Sequence, residues 1–257
     1  MRINTNVGAL NSAKNSFINT MATESSMRKL SSGLRISRAA DDAAGLSIAN
    51  KLRAQSRSLT VAAANSEQGG AMLQIAEGSA GTIQKILERQ KELIIQREST
   101  GNNSSVTATL NSEIGTLSTE VARIITSTNF QGSTVFTSLA FQVSDGTTGS
   151  TVTVNAALAA SSVSLASTAA ISDVDNALTA INSALANIGA GQNVLDYTVQ
   201  NLKSAVVNVK AAESTIRDVD MAEEMANYTK NSILTQAAQA MLAQANQSSQ
   251  SVLSLLR

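Results

Sequence analysis

The sequence predicts a mainly α protein: a long antiparallel coiled-coil bundle, or rod, with paired N- and C-terminal helices and a small β-hairpin region. Three observations carry this. Apolar residues recur three and four apart over long segments. The chain has no proline and only 2% aromatic residues, so neither helix breaking nor ring packing organises it. The helical period disappears only between about Asn129 and Thr168, where Ser, Thr and Val dominate.

Taken in order, the first helix carries the stripe Ile3, Val7, Leu10, Phe17 and Met21, and Gly33 with Gly45 brackets a break before the next. Met72, Ala76, Ser79, Ile83, Ile86, Gln90 and Leu93 mark a second helix; Leu110, Ile114, Leu117, Val121, Ile124 and Thr128 mark a third. Between these two, STGNNSS at 99–105 is a cluster of turn formers that reverses the chain. TVTVN at 151–155 alternates in period two and pairs with LAFQV at 139–143 as a hairpin, its small polar residues favouring an exposed tip.

The strongest period lies between Ile171 and Ile216. Ile171, Val174, Leu178, Ile181, Leu185, Ile188, Leu195, Val199, Leu202, Val206, Val209 and Ile216 form a seam interrupted only by Gln192 and Glu213. Such a helix is about 70 Å long at ~1.5 Å per residue. Gly189 and Gly191 allow a local bend within it. Asp220 followed by Glu223 reads as an N-cap with a first-turn carboxylate, so the last helix starts near Met221. It carries Leu234, Ala238, Met241, Ala245, Val252 and Leu255, with Leu242, Leu253 and Leu256 beside them. Apolar to its last turn, this end is sticky unless something covers it, and the charge balance differs between the two ends. Residues 1–60 hold nine basic and three acidic side chains; residues 213–257 hold three basic and five acidic.

Composition also excludes classes of function. Without His or Cys there is no imidazole base, no thiolate and no common transition-metal ligand set, so no cofactor, metal or enzyme activity is expected. A net charge of +0 gives no general field for nucleic acid. No apolar run reaches the roughly 20 residues of a membrane span, and Met1–Leu10 has no signal-peptide core. These points alone suggest a cytosolic protein. Asp41 with Asp42 reads as a helix start rather than a cation site, and Gly189-Ala190-Gly191 lacks the third glycine of a nucleotide loop. Asn102, Asn103, Asn227 and Asn246 head glycosylation-like triplets, which are common by chance.

Both ends resemble a known family. Residues 2–50, above all LSSGLRI and ADDAAGLSIA, closely resemble the amino-terminal region of bacterial flagellins. Residues 214–257, ending in LAQANQ and VLSLLR, resemble the carboxy-terminal region, and IGAGQNVLDYTVQNL extends the likeness inward. The resemblance implies a structural subunit of the flagellar filament, serving swimming motility, in a short form with the core domains alone. Residues 1–45 and 218–257 would form a terminal helical domain lining the filament core, and 46–217 a helical rod outside it, with 130–170 a β-rich, exposed insert.

Self-assembly would run through Ile3, Val7, Leu10, Phe17, Met21, Leu234, Met241, Leu242, Val252, Leu253, Leu255 and Leu256. The family is exported unfolded through the flagellar secretion apparatus, which replaces the cytosolic expectation with a secreted, extracellular one. A chain without proline or cysteine suits that route, since neither isomerisation nor oxidation limits refolding. Implied partners are further copies of the chain, an export chaperone, the filament cap and hook-junction proteins. LERQKELIIQ at 87–96 resembles the segment read by the animal innate immune receptor, assigning contacts to Arg89, Leu93 and Glu113; residues 28–49 resemble the peptide sensed by plants. A hook-filament junction protein is the rival reading, and a membrane-active amphipathic protein is disfavoured because Lys230 is the last helix's only cation before Arg257.

Overall fold

The computed structural model describes residues 6–99, 101, 103–144 and 151–255, without the side chains of 161 and 249–255. In order these form α1 (Val7–Ser32), α2 (Ala43–Arg97), α3 (Ser104–Ser127), β1 (Asn129–Phe130), β2 (Ser133–Thr134), β3 (Ser138–Gln142), β4 (Thr151–Asn155), α4 (Ala160–Val163), α5 (Ile171–Arg217) and α6 (Met221–Leu255). The chain divides into two compact units, Met1–Ala54 with Val209–Arg257, and Gln55–Asn208. These boundaries lie deeper in α2 and α5 than the 45/46 and 217/218 limits drawn from the sequence. Arg53 explains the displacement: its Nε donates to Glu213 Oε1 at 2.9 Å, tying the start of α2 to the end of α5 inside the first unit.

In the second unit, polar links fix the direction of each helix. Gln90 Nε2 donates to Ile114 O at 3.2 Å and Ser118 Oγ at 3.0 Å, and Arg97 Nη1 to Asn111 Oδ1, so α3 returns along α2. Lys91 with Asp175, Gln192 with Glu77 and Lys203 with Glu67 run α5 antiparallel to α2. The core between them comprises Leu73, Ala76, Ala80, Ile83, Leu87, Leu93 and Ile94 from α2, Ile114 and Val121 from α3, and Val174, Ala177, Ile181, Ala184, Ile188 and Leu195 from α5.

This buried stripe is wider than the predicted seam. On α5 the fully enclosed positions alternate between large residues (Val174, Ile181, Ile188, Leu195, Leu202) and small ones (Ala177, Ala184, Gly191), while Leu178 and Leu185 sit half-buried at the edge. On α2, Ala80 and Leu87 likewise lie inside where Ser79 and Ile86 do not. A helix packed against more than one neighbour buries a third position beside the two of a coiled-coil seam, and there the small residues admit the neighbour.

The neighbour on α5 is the hairpin. β3 and β4 pair as the predicted antiparallel hairpin, with Leu139 opposite Val154 and Phe141 opposite Val152. One face of the hairpin and much of 130–170 lie in the core rather than in the exposed insert that polar composition suggests, while 145–150, where the exposed tip is expected, lie outside the described residues. Val135, Phe136, Leu139, Val154, Ala156, Leu158, Val163 and Ala169 are all in the core. Two glycines make room for it: a Cβ on Gly69 would lie 2.8 Å from Phe141 Cδ1, and one on Gly191 would lie 2.6 Å from both Val154 methyl groups. Gly191 therefore serves docking, and α5 continues through it without interruption. The smaller β1–β2 hairpin turns at Gln131 and Gly132, both at positive φ as a two-residue primed turn requires.

Substitution of the two glycines in α5 should separate docking from helix propensity. Gly191→Ala is expected to destabilise Gln55–Asn208 by ~1–3 kcal/mol, because the branched Val154 cannot swing aside. Gly189→Ala, whose added carbon meets nothing within 4 Å, is expected to stabilise by ~0.5–1 kcal/mol. Denaturant unfolding of the two variants checks the opposite signs.

Candidate functional site

In the first unit, α1 and α6 run antiparallel. Asn6 caps α1 by accepting from Ala9 N, and its Nδ2 donates to Ala245 O at 3.0 Å. At the other end Lys29 lies 3.7 Å from Glu224. The two backbones approach within 8 Å, Cα to Cα, along the pair, a spacing that α2, α3 and α5 do not sustain with one another.

The sequence explains the close approach. The α1 positions shielded from solvent are Ala9, Ser12, Ser16, Asn19, Ala22, Thr23, Ser25, Ser26, Lys29 and Leu30, and on α6, among the described side chains, Glu224, Tyr228, Asn231, Ser232, Thr235, Ala238, Leu242 and Ala245. Most are small or short polar residues, with Leu30, Tyr228 and Leu242 the large exceptions. Two hydroxyls are satisfied along their own helices, Thr23 Oγ1 donating to Asn19 O and Thr235 Oγ1 to Asn231 O. Most of the large apolar side chains are exposed instead. Val7, Leu10, Phe17, Ile18 and Met21 fall within about a third of the α1 circumference, at ~100° per residue, and all are exposed, Phe17 to 66%. On α6, Ile233, Leu234 and Met241 are exposed as well.

The predicted stripe on the last helix thus divides: Ala238 and Ala245 face α1, whereas Leu234 and Met241 face outward. Leu242 is half-buried. Ile3 and Leu256 lie outside the described residues, as do the side chains of Val252, Leu253 and Leu255. Ile18, Met27, Met221, Met225 and Ile233 join the exposed apolar set without having been singled out in the sequence. Their three- and four-residue spacing relative to Leu10, Met21 and Leu234 was the available signal only for some; Met27 lies off that face.

Two connectors meet beside this pair. Gly33, at φ 70°, ends α1, and its carbonyl accepts from Val219 N at 3.1 Å, while Arg35 N donates to Arg217 O at 2.7 Å. Ile36 is buried there against Gly45. Asp41 and Asp42 are structural: Asp41 Oδ2 accepts from Ser37 N and Arg38 N, and Asp42 Oδ1 from Gly45 N at the start of α2. The backbone N–H of Arg38, then that of Ser37, holds the Asp41 carboxyl below its usual range. Among the described residues no group of three acidic side chains could hold a metal, and no helix is long and apolar enough to cross a membrane.

In the second unit Arg89 and Glu113 are exposed and joined, with Arg89 Nη2 at 3.4 Å from Glu113 Oε1 and Nη1 at 3.0 Å from Glu92. Leu93, assigned with them from the sequence, is 1% exposed and lies in the core, one helical turn beyond Arg89 on α2. Gln90 is fully buried, and its Oε1 has no hydrogen-bond partner.

Residues 3–140 match the bacterial flagellin N-terminal helical region, and residues 171–256 match the bacterial flagellin C-terminal helical region. The chain belongs to the bacterial flagellin family. It is 42% identical over 272 residues to a flagellin of Halalkalibacterium halodurans and 39% identical over 304 residues to one of Bacillus subtilis, with 100% of each chain covered in both cases. A flagellar filament 33 kDa core protein of Treponema phagedenis is 36% identical over 286 residues, again across 100% of both chains. The crystal structure of Bacillus cereus flagellin aligns with a TM-score of 0.49 and 27% identity over 58% of this chain and 94% of that one. Flagellins are structural proteins and not enzymes, in keeping with the chemistry this chain lacks.

The Asp41 carboxylate yields a pH dependence for this flagellin's connector. Because its folded pKa lies below the unfolded aspartate value of about 3.9, its stabilisation is complete above that value and is lost as pH falls through the lower folded one. Amide chemical shifts of Ser37 and Arg38 should titrate with a midpoint below about 3.9 and become pH-independent there in Asp41→Asn. A midpoint at or above the ordinary value would show that the two N–H donors do not hold the charge.

Proposed function

We propose that the chain is the structural subunit of the bacterial flagellar filament, polymerising through α1 and α6 into a helical homopolymer for swimming motility. The observation that carries this reading is the orientation of the terminal helices. Small residues line the contact within the subunit, and the large apolar residues are left for contacts between subunits.

An isolated pair of helices gains little from such an arrangement, because its central seam removes little apolar area from water. In the first unit Ile36 and Ala49 are the buried apolar side chains among the described residues, and both lie outside the α1–α6 pair. Each Leu, Ile or Phe covered by a neighbouring copy contributes ~1.5–3 kcal/mol. Head-to-tail contacts that do not close into a ring give an open helical polymer. The terminal domain proposed from the resemblance, 1–45 with 218–257, supplies this surface. The relatives' names place those proteins in the flagellar filament; for this chain, export without a cleaved signal and contacts with an export chaperone, a filament cap and hook-junction proteins accompany the same reading.

Phe17→Asp should abolish seeded filament growth, as judged by electron microscopy, while changing unfolding of the free subunit by no more than ~0.5 kcal/mol. Removing Gln250–Arg257 should also stop growth and leave Gln55–Asn208 folded. Filaments from either variant would refute assembly through this surface.

Recognition by an animal innate immune receptor rests on Arg89 and Glu113, which present a paired cation and carboxylate across α2 and α3, with the buried Leu93 one turn along α2. Arg89→Ala is expected to weaken receptor activation by about tenfold, a loss typical of a charged contact worth ~1.4 kcal/mol. Unchanged activation in a receptor reporter assay would place the contact elsewhere.

A further inference from the structure

The chain's exposed methionines are concentrated in the first unit, on more than one face of α1 and α6. There are seven methionines and no Cys, His or Trp, so thioether sulfur is the soft nucleophile of this protein. Met21, Met27, Met221, Met225 and Met241 all belong to the first unit and are 48–61% exposed. Met72, in the second unit, is 8% exposed and belongs to its core. The contrast extends to the other exposed apolar residues. Those of the second unit, such as Val61, Ile95, Val194 and Val207, include no methionine among the described residues.

The placement within the first unit is also shared between both helices. Met27 on α1 and Met225 on α6 are within two residues in sequence of Lys29 and Glu224, the ion pair at the end of the helix pair nearest the connectors. Met221 and Met225 are one helical turn apart on α6. Met21 lies on the same arc of α1 as Phe17 and Ile18, and Met241 follows Leu234 by seven residues on α6.

We infer that these five methionines form a peroxide-sensitive modification site that gates polymerisation. They are open to oxidation in the free subunit, closed once neighbouring copies cover them, and incompatible with assembly when converted to sulfoxides. The inference rests on the filament reading above. In each reaction the thioether sulfur attacks one oxygen of hydrogen peroxide; an S–O bond forms as the O–O bond breaks. The departing oxygen keeps its proton, takes up the one released by the attacked oxygen and leaves as water. Sulfur loses two electrons and the peroxide gains two. The product is a polar sulfoxide on a side chain that must otherwise enter a dry contact, where its oxygen has no donor to meet. The same residue type that adapts readily to a partner's surface is thereby the one that an oxidant can switch off.

The experiment treats free subunits and preformed filaments with hydrogen peroxide, locates the added oxygen by peptide mass spectrometry and measures growth from untreated seeds. Free subunits are expected to gain oxygen at the five positions before Met72, and filaments to be protected at them. Growth by oxidised subunits should fall about tenfold or more, the effect of ~1.4 kcal/mol, and return after treatment with methionine sulfoxide reductases. A chain carrying Met21→Leu, Met27→Leu, Met221→Leu, Met225→Leu and Met241→Leu should grow and be indifferent to peroxide; should that chain not grow, reductase rescue of the natural one decides. Oxidised subunits that grow at the untreated rate, filaments oxidised as fast as subunits, or growth that the reductases do not restore would overturn the inference. Failure of the untreated natural chain to grow from seeds would instead overturn the filament reading itself.

Discussion

The close approach of α1 and α6 is the constraint from which the rest of the molecule's behaviour follows. Two helices can come within 8 Å over many turns only where their facing residues are small, and here Ser12, Ser16, Ala22, Ser26, Thr235, Ala238 and Ala245 supply that seam. Choosing small residues for the inside leaves Phe17, Ile18, Met21, Ile233 and Met241 outside. The subunit's own fold and its affinity for copies of itself are then two sides of one helix, set by which face carries the bulk. A conventional amphipathic pair, with Leu and Phe turned inward, would give a more stable free subunit and a weaker polymer.

The second unit follows the opposite rule. Its large side chains, from Leu73 and Ile83 to Ile181 and Leu195, are enclosed within the subunit. Polar residues occur in the packing faces where they set direction. Gln90 reaches from α2 to the backbone and hydroxyl of α3, and Gln192, an interruption in the α5 seam, bonds to Glu77 of α2; the other interruption, Glu213, bonds to Arg53 of α2 within the first unit. A one-turn slip of α5 would leave these groups without their partners, so they specify register more than they add stability.

Much of this was legible in the sequence, because long helices with three- and four-residue periods leave a strong trace. Asp220 marked the start of α6, STGNNSS the reversal between α2 and α3, and LAFQV with TVTVN the hairpin, all from local chemistry. Two things were not legible, for one reason. Apolar periodicity says which residues lie on a face but not what that face meets. It therefore placed Leu178 and Leu185 at the centre of a seam whose centre is Ala177, Ala184 and Gly191, and it read the hairpin as exposed because its partners are glycines. On α6 it merged Ala238 and Ala245 with Leu234 and Met241 into one stripe, although the former face α1 and the latter face outward. In the proposed assembly surface Phe17 and Met21 were identifiable by type; among the exposed apolar residues Met27 was not, since it stands away from the stripe.

The pairing of β3 with β4 has one further consequence. Gln142 and Thr151 are opposite one another at the end of the ladder, so the residues between them begin and end at adjacent points. Loop closure at such a doorway costs little more as the excursion lengthens. Since Leu139 and Val154 anchor the strands from below, additional sequence at this point would find its exit and re-entry already fixed. The scaffold is thus open to enlargement at one address, where an appended outer module could be accepted or lost without any change to the helices that hold the subunit together.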